Sequence, residues 1–420
     1  MTFSSFIEAQ NFFLATAFLL AFVLGAVVNK TNFCTMGAVS DMVNMGDYSR
    51  FRAWLLAIAV AVSGVVVLEY MGLISSLNNT FPPYRDTRII WLENLLGGFL
   101  FGIGMTLASG CGNKTLIRVG GGNIKSILVF IVIGVTAYYM VNPFPGTDKT
   151  LYSELFYSWI NPAALQLATP SDLGNLMSPE SATLNRLVFG LVLALALCIY
   201  IFKSAEFRAS FDNILGGLVV GLVVLMAWYV SSNLSIDVDE EPYTLSSYYE
   251  EWEMLADSDE GKPASARPLA TQSFTFINPV GQTLGYIKSG FDSRLLTFGI
   301  LSVVGVILGS LFWALVSKGF RIEWFASVRD FFMHFIGAIL MGLGGTIALG
   351  CTVGQAITGI STLAFGSMLV FIAILFGSAL TMKIQYYKIL YQDASFWSAL
   401  VTALVELRLL PASMRKLEAL

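Results

Sequence analysis

Long apolar stretches alternate with shorter polar breaks along the whole chain. A helix needs about 20 apolar residues to cross a bilayer. Nine stretches meet that need: roughly 10–28, 52–72, 90–109, 123–142, 183–203, 211–231, 294–317, 328–349 and 363–383. The pattern predicts an all-α polytopic membrane protein with about nine transmembrane helices. Three of the breaks do not read as plain aqueous loops, the first being too apolar and too patterned and the other two short and semi-polar. One is KTNFCTMGAVSDMVNMGDYSR, which holds Cys34, and the others follow Cys111 and Cys351. They are expected to be short re-entrant helices, a form tolerated at membrane depth only inside protein or beside a wet cavity. The longer breaks differ in kind. Residues 143–182 hold Pro143, Pro145, Pro162 and Pro170 and read as a polar connector. Residues 232–270 contain DVDEEPYTLSSYYEEWEMLADSDEGKPASARP and read as an acidic, solvated and dispensable insertion. Residues 393–420 form an amphipathic C-terminal tail.

The pattern also repeats. GGFLFGIGMTLASGC at 97–111 and GAILMGLGGTIALGC at 337–351 share eight of fifteen positions at a displacement of 240 residues. The shared positions include Gly97/Gly337, Gly104/Gly344, Thr106/Thr346 and Cys111/Cys351. At a displacement of 244, TNFCTMG faces TFINPVG and GDYSR faces GFDSR. The equivalent spans are the third and the eighth, and an odd displacement turns the second copy upside down. The expected organisation is a first inverted-repeat half at 10–142 and a central unpaired helix at 183–203. A second half follows at 211–386, interrupted by 232–270. Inverted repeats with broken helices are a transporter architecture. The glycine steps at 98, 102 and 104, and at 342, 344 and 345, are expected to let helices pack closely.

Composition narrows the class further. Charged residues make up 12% of the chain, against about 25% in soluble domains. Mean hydropathy is +0.71. The net charge of -4 argues against a nucleic-acid partner. MTFSSFIEAQ lacks the basic start of a cleavable signal peptide. Lysine and arginine set the orientation. With the N-terminus outside and the C-terminus inside, 16 of the 24 cations lie on the cytosolic side, from Lys30, Arg50 and Arg52 to Arg415 and Lys416. The insertion at 232–270 then faces outward.

Four cysteines without CxxC spacing carry no zinc, haem or iron–sulfur signature, so no metal and no cofactor is expected. His334 reads as a packed helix residue and Cys198 as a plain apolar one. Cys111 and Cys351 each stand where a short helix begins. A helix N-terminus offers free N–H groups and a positive dipole end to an anion. A thiol is a weak, polarizable donor that holds a soft anion without trapping it. Asn113, Thr115, Asn278, Thr352 and Gln355 are neutral groups able to line a path, and Lys114 either attracts the anion or marks the cytosolic end.

NFCTMGAVSDMVNMGDYSRFRAWLLAIAV, ASGCGNKTLIRVGGG and LGCTVGQAITG together resemble the YeeE/YedE sulfur-transport family. The resemblance implies an inner-membrane permease, not an enzyme, that takes up thiosulfate using cysteines on short re-entrant helices. It matches Cys34, Cys111 and Cys351 to the family's three motif cysteines. The partners it implies are a small sulfur-containing anion, the lipid bilayer and a separate cytosolic TusA-like sulfur carrier. Two alternatives stand beside it. One is a selenium-compound transporter of the YedE type. The other is a membrane thiol sulfurtransferase or redox protein, which lacks CxxC, a histidine base and a cofactor motif.

Overall fold

The computed structural model describes residues 1–74, 77–239, 241–255 and 260–418. Among them are nine helices long and apolar enough to cross a membrane. Each falls on one predicted stretch. In chain order the main helices are α1 (Phe6–Thr31), α2 (Thr35–Ser40), α3 (Ser49–Tyr70), α4 (Trp91–Leu107), α5 (Gly112–Gly120) and α6 (Ile124–Val141). Then come α7 (Ala182–Phe202), α8 (Phe211–Ser232), α9 (Ile277–Lys288), α10 (Phe298–Val316), α11 (Val328–Ile347), α12 (Phe365–Leu390) and α13 (Phe396–Glu406). Three stretches wind more loosely as π-helix: Ser153–Tyr157 in the connector before α7, and two that follow motif cysteines, the first at Asp41–Met45 after α2 and the second at Val353–Gly359 after Cys351.

The helix contacts come in exchangeable pairs. α1 packs on α10 and α8 on α3; α4 packs on α12 and α11 on α6. α6 packs on α9 and α12 on α2, while α5 meets α10 and the second π-helical segment meets α3. α4 and α11 also cross each other, and glycine sets that crossing. A Cβ at Gly97 would fall 2.6 Å from the Ala348 nitrogen, and one at Gly337 would fall 2.7 Å from the Ala108 nitrogen. A Cβ at Gly104 or Gly344 would sit 2.6 Å from the carbonyl oxygen of Gly337 or Gly97 respectively. Moving every residue by 240 positions turns one set of contacts into the other. Backbones touch here because no side chain holds them apart, the usual basis of close packing between apolar helices.

The segment 232–270 differs from the sequence expectation. Its described part is folded against the N-terminus. Strands β4 (Ser235–Val238) and β5 (Glu241–Thr244) pair antiparallel, and β4 pairs parallel with β1 (Thr2–Phe3). Between them in the chain lie β2 (Arg88–Ile90) and β3 (Ala164–Gln166), a separate two-stranded ribbon. Tyr248 is fully buried and stacks on Phe6 at 5.7 Å, while the Phe6 N–H donates to the Glu260 carbonyl at 3.0 Å. The acidic composition hid a short alternating strand, in which Ile236 and Val238 turn inward. Residues 256–259 lie outside the described ones. Burying a side chain such as Phe6 contributes about 1.5–3 kcal/mol, so the segment helps hold the start of α1. Excising 234–266 while keeping 271–290 is therefore expected to lower the melting temperature of detergent-purified protein. Uptake per folded molecule should stay within a few-fold. An unchanged melting temperature would show that this cap holds nothing.

His334 lies within α11, where its Nδ1 meets the Asp330 carbonyl at 2.8 Å and its ring packs on Phe325. Cys198 is half-buried on α7. α13 in the C-terminal tail is tied to α12 through Glu406, which pairs with Lys383 at 2.9 Å and accepts from the Tyr387 hydroxyl at 2.6 Å.

Candidate functional site

The site is built on one turn made twice. α4 ends as the Ser109 N–H donates to the Thr106 carbonyl and the Gly110 N–H to the Met105 carbonyl. α11 ends in the same way, with Leu349 to Thr346 and Gly350 to Gly345. This pair of hydrogen bonds is the Schellman ending, which places the residue after the cap in the left-handed region. Ser109 (φ 58°) and Leu349 (φ 57°) occupy that position. The turn reverses the chain and sets Cys111 and Cys351 at the heads of α5 and of the second π-helical segment. Gly112 lets the two heads meet. A Cβ there would strike the Ile277 side chain at 2.9 Å and lie 3.8 Å from the Cys351 Cβ.

Each sulfur faces polar hydrogens. The N–H groups of Phe276, Val353 and Gly354 lie near the Cys351 sulfur, outside hydrogen-bond geometry. The Lys114 N–H turns toward Cys111, with the Thr352 hydroxyl beside the same sulfur but outside hydrogen-bond geometry. Cys34 caps α2, its sulfur accepting from the Gly37 N–H at 3.5 Å. It lies within electrostatic reach of Cys111, Lys114 and Arg50. All three thiols are buried. The structure thus gathers Cys34, Cys111 and Cys351, and leaves Cys198 on another helix.

The neutral candidates divide into two groups. The side-chain oxygens of Asn113, Asn278 and Thr352 are sealed from solvent and make no hydrogen bond among the described residues. Thr115 and Gln355 are already engaged. The Thr115 hydroxyl donates to the Cys111 carbonyl at 3.1 Å. The Gln355 amide donates to the Ala348 carbonyl at 2.5 Å and accepts from the Ser367 hydroxyl at 2.6 Å. These two hold their own turns in shape. Lys114 donates to Asn32 Oδ1 at 2.5 Å, which draws its charge toward the turn before Cys34. Arg50 folds over Gly37 and forms a two-point ion pair with Asp41, while Arg294 pairs with Asp292 at the surface.

Three groups were not singled out from the sequence. The hydroxyls of Thr35, Thr275 and Tyr84 are also sealed and unpartnered among the described residues. Thr275 packs against Gly350 and Gly354, and Tyr84 lies near Cys351. Thr275 had a signal, as the first residue of the TFINPVG motif; Tyr84 lies in the connector between α3 and α4 and had none. A buried polar atom without a partner costs about 1–3 kcal/mol, and native proteins contain few. Of fourteen such side-chain atoms among the described residues, six belong to Thr35, Tyr84, Asn113, Thr275, Asn278 and Thr352. Beside α2 lies a cavity of about 480 Å³, lined by Met36 and Ser40 of α2 and by Ser109, Arg329, Met382 and Gln385.

A family model described as Sulphur transport matches residues 30–380. Two curated relatives, from Escherichia coli strain K12 and Spirochaeta thermophila, are each named "Thiosulfate transporter TsuA". The first is 26% identical over 350 residues, covering 80% of this chain and 84% of the relative. The second is 25% identical over 373 residues, covering 86% of this chain and 96% of the relative.

Proposed function

We propose that this chain, which belongs to the sulphur-transport family, carries thiosulfate or a closely related sulfur anion through the bacterial inner membrane, along Cys351, Cys111 and Cys34. The reading is supported most by the convergence of three buried thiols with unpartnered polar atoms. Thiosulfate has charged oxygens that suit N–H and O–H donors, and a soft terminal sulfur that suits a thiol. Neutral thiols would not repel the dianion. A series of weak sites allows both entry and release. The two curated relatives are named for the same anion.

The rest of the reading follows from the same arrangement. Residues 10–142 and 211–386 act as inverted halves about α7, and the exchanged contacts and twin turns support this. The helices headed by the three cysteines act as re-entrant elements that place broken backbone where the path runs. The N-terminus and 232–270 face outward and the C-terminus faces the cytosol. On this orientation Cys351 lies toward the entrance, and the cavity beside α2 opens at the exit, where a TusA-like sulfur carrier would receive the product. The protein acts as a carrier and not as an enzyme.

Two measurements test this. Labelled thiosulfate should enter cells that lack other sulfate–thiosulfate systems only when the protein is present. Mass spectrometry of the purified protein after turnover should find no cysteine persulfide. A persulfide on Cys111 or Cys351 would instead favour covalent sulfur transfer. The orientation has its own test. A cysteine introduced at the exposed Ala264 is expected to react with an impermeant maleimide in intact cells; reaction only after lysis would reverse the topology.

A further inference from the structure

The connector between α3 and α4 does not stay at the surface. Tyr84 is 6% exposed and Arg85 2%. The Tyr84 ring packs edge-on against Trp228 at 6.2 Å, and its Cδ1 would lie 3.0 Å from a Cβ at Gly359. Gly359 belongs to the segment that Cys351 heads. Two anchors hold the ring there. The Phe81 N–H donates to the Thr271 carbonyl at 3.0 Å, which ties the connector to the extended segment running into Thr275 and Phe276. The Arg85 Nε donates to the Thr362 carbonyl at 2.9 Å, which ties it to the end of the Cys351 segment. The ring is thus clamped between the two backbone segments that flank Cys351, and its hydroxyl has no hydrogen-bond partner among the described residues. Burial, with Cys351 adding to it, pushes the phenol well above its usual range, so it stays a neutral donor.

We propose that Tyr84 is a substrate-binding residue whose phenol O–H meets an oxygen of the sulfur anion at the Cys351 end of the path. The proposal rests on the reading of the chain as a sulfur-anion carrier. The geometry suits it. A phenol in a fixed ring offers one directed donor and carries no charge. On the proposed orientation it would be among the first polar groups the anion meets on its way to Cys351.

Tyr84→Phe removes one oxygen and keeps the ring. A hydroxyl without a protein partner does not stabilise the fold, so the variant should melt at the wild-type temperature or above it. Labelled thiosulfate uptake should show KM raised about tenfold, with the maximal rate little changed. KM equal to wild type would overturn the proposal. So would a variant that fails to fold, since the hydroxyl would then be structural. No thiosulfate uptake by the wild type would overturn the carrier reading itself, which sets that failure apart from the other two.

Discussion

Glu69→Gln is expected to be the most destabilising single change outside the thiol site. Glu69 sits between two arginines in a buried chain of charge. Arg85 donates to its two oxygens at 2.7 and 3.0 Å, and Arg186 donates to it as well. Arg186 continues to Asp172 at 2.9 Å, and Asp172 caps the helix Leu173–Met177 by accepting from the Gly174 and Asn175 N–H groups. The Arg85 side chain is 0% exposed and that of Asp172 0%. Two guanidiniums and two carboxylates balance, so the amide leaves one positive charge buried without compensation. Breaking such a pair from one side costs about 3–5 kcal/mol. The Thr362 carbonyl bonds Arg85, so the damage should reach the turn that closes the Cys351 segment. The melting temperature of the purified variant should fall clearly below wild type. Adding Arg85→Gln should restore part of the loss, because the pair is then removed together. A Glu69→Gln protein that melts like wild type would mean that the network is not dry.

The thiols should govern transport and leave the fold alone. Replacing a weak S–H donor by a methyl group leaves the soft sulfur of the anion unpaired where little water reaches. Such a loss costs about 1–3 kcal/mol, about 5- to 150-fold in affinity or flux. Cys34→Ala, Cys111→Ala and Cys351→Ala should each reduce thiosulfate uptake to that extent, and Cys198→Ala should not. Serine is the informative replacement. A thiol that only donates should be partly replaced by a hydroxyl, so the serine variants should retain some transport. Serine variants as inactive as alanine would point to a covalent sulfur intermediate.

The spans were legible because apolar length alone marks them. The meeting of Cys111 with Cys351 was legible in a different way. A motif spelled twice, with a cysteine after the same glycine-stepped helix, already implies two copies of one turn. The buried connector was not legible. Nothing in TFPPYRD marks it as buried; Arg85 is held by Glu69 and by the Thr362 carbonyl, which come from distant points of the chain. Ion pairs of that separation leave no period behind. The same limit explains Gln355 and Thr115. Their residue types suit a path, yet their polar ends are taken by Ala348, Ser367 and Cys111. The fold of 232–270 was hidden for a related reason, since four residues of alternation are outweighed by an acidic composition.

The most direct measurement is uptake of labelled thiosulfate by cells lacking other sulfate–thiosulfate systems, comparing wild type with Cys111→Ala/Cys351→Ala at matched amounts in the membrane. Uptake with the wild type and almost none with the double variant is the expected result. Equal uptake by the two would contradict a path that runs between these thiols.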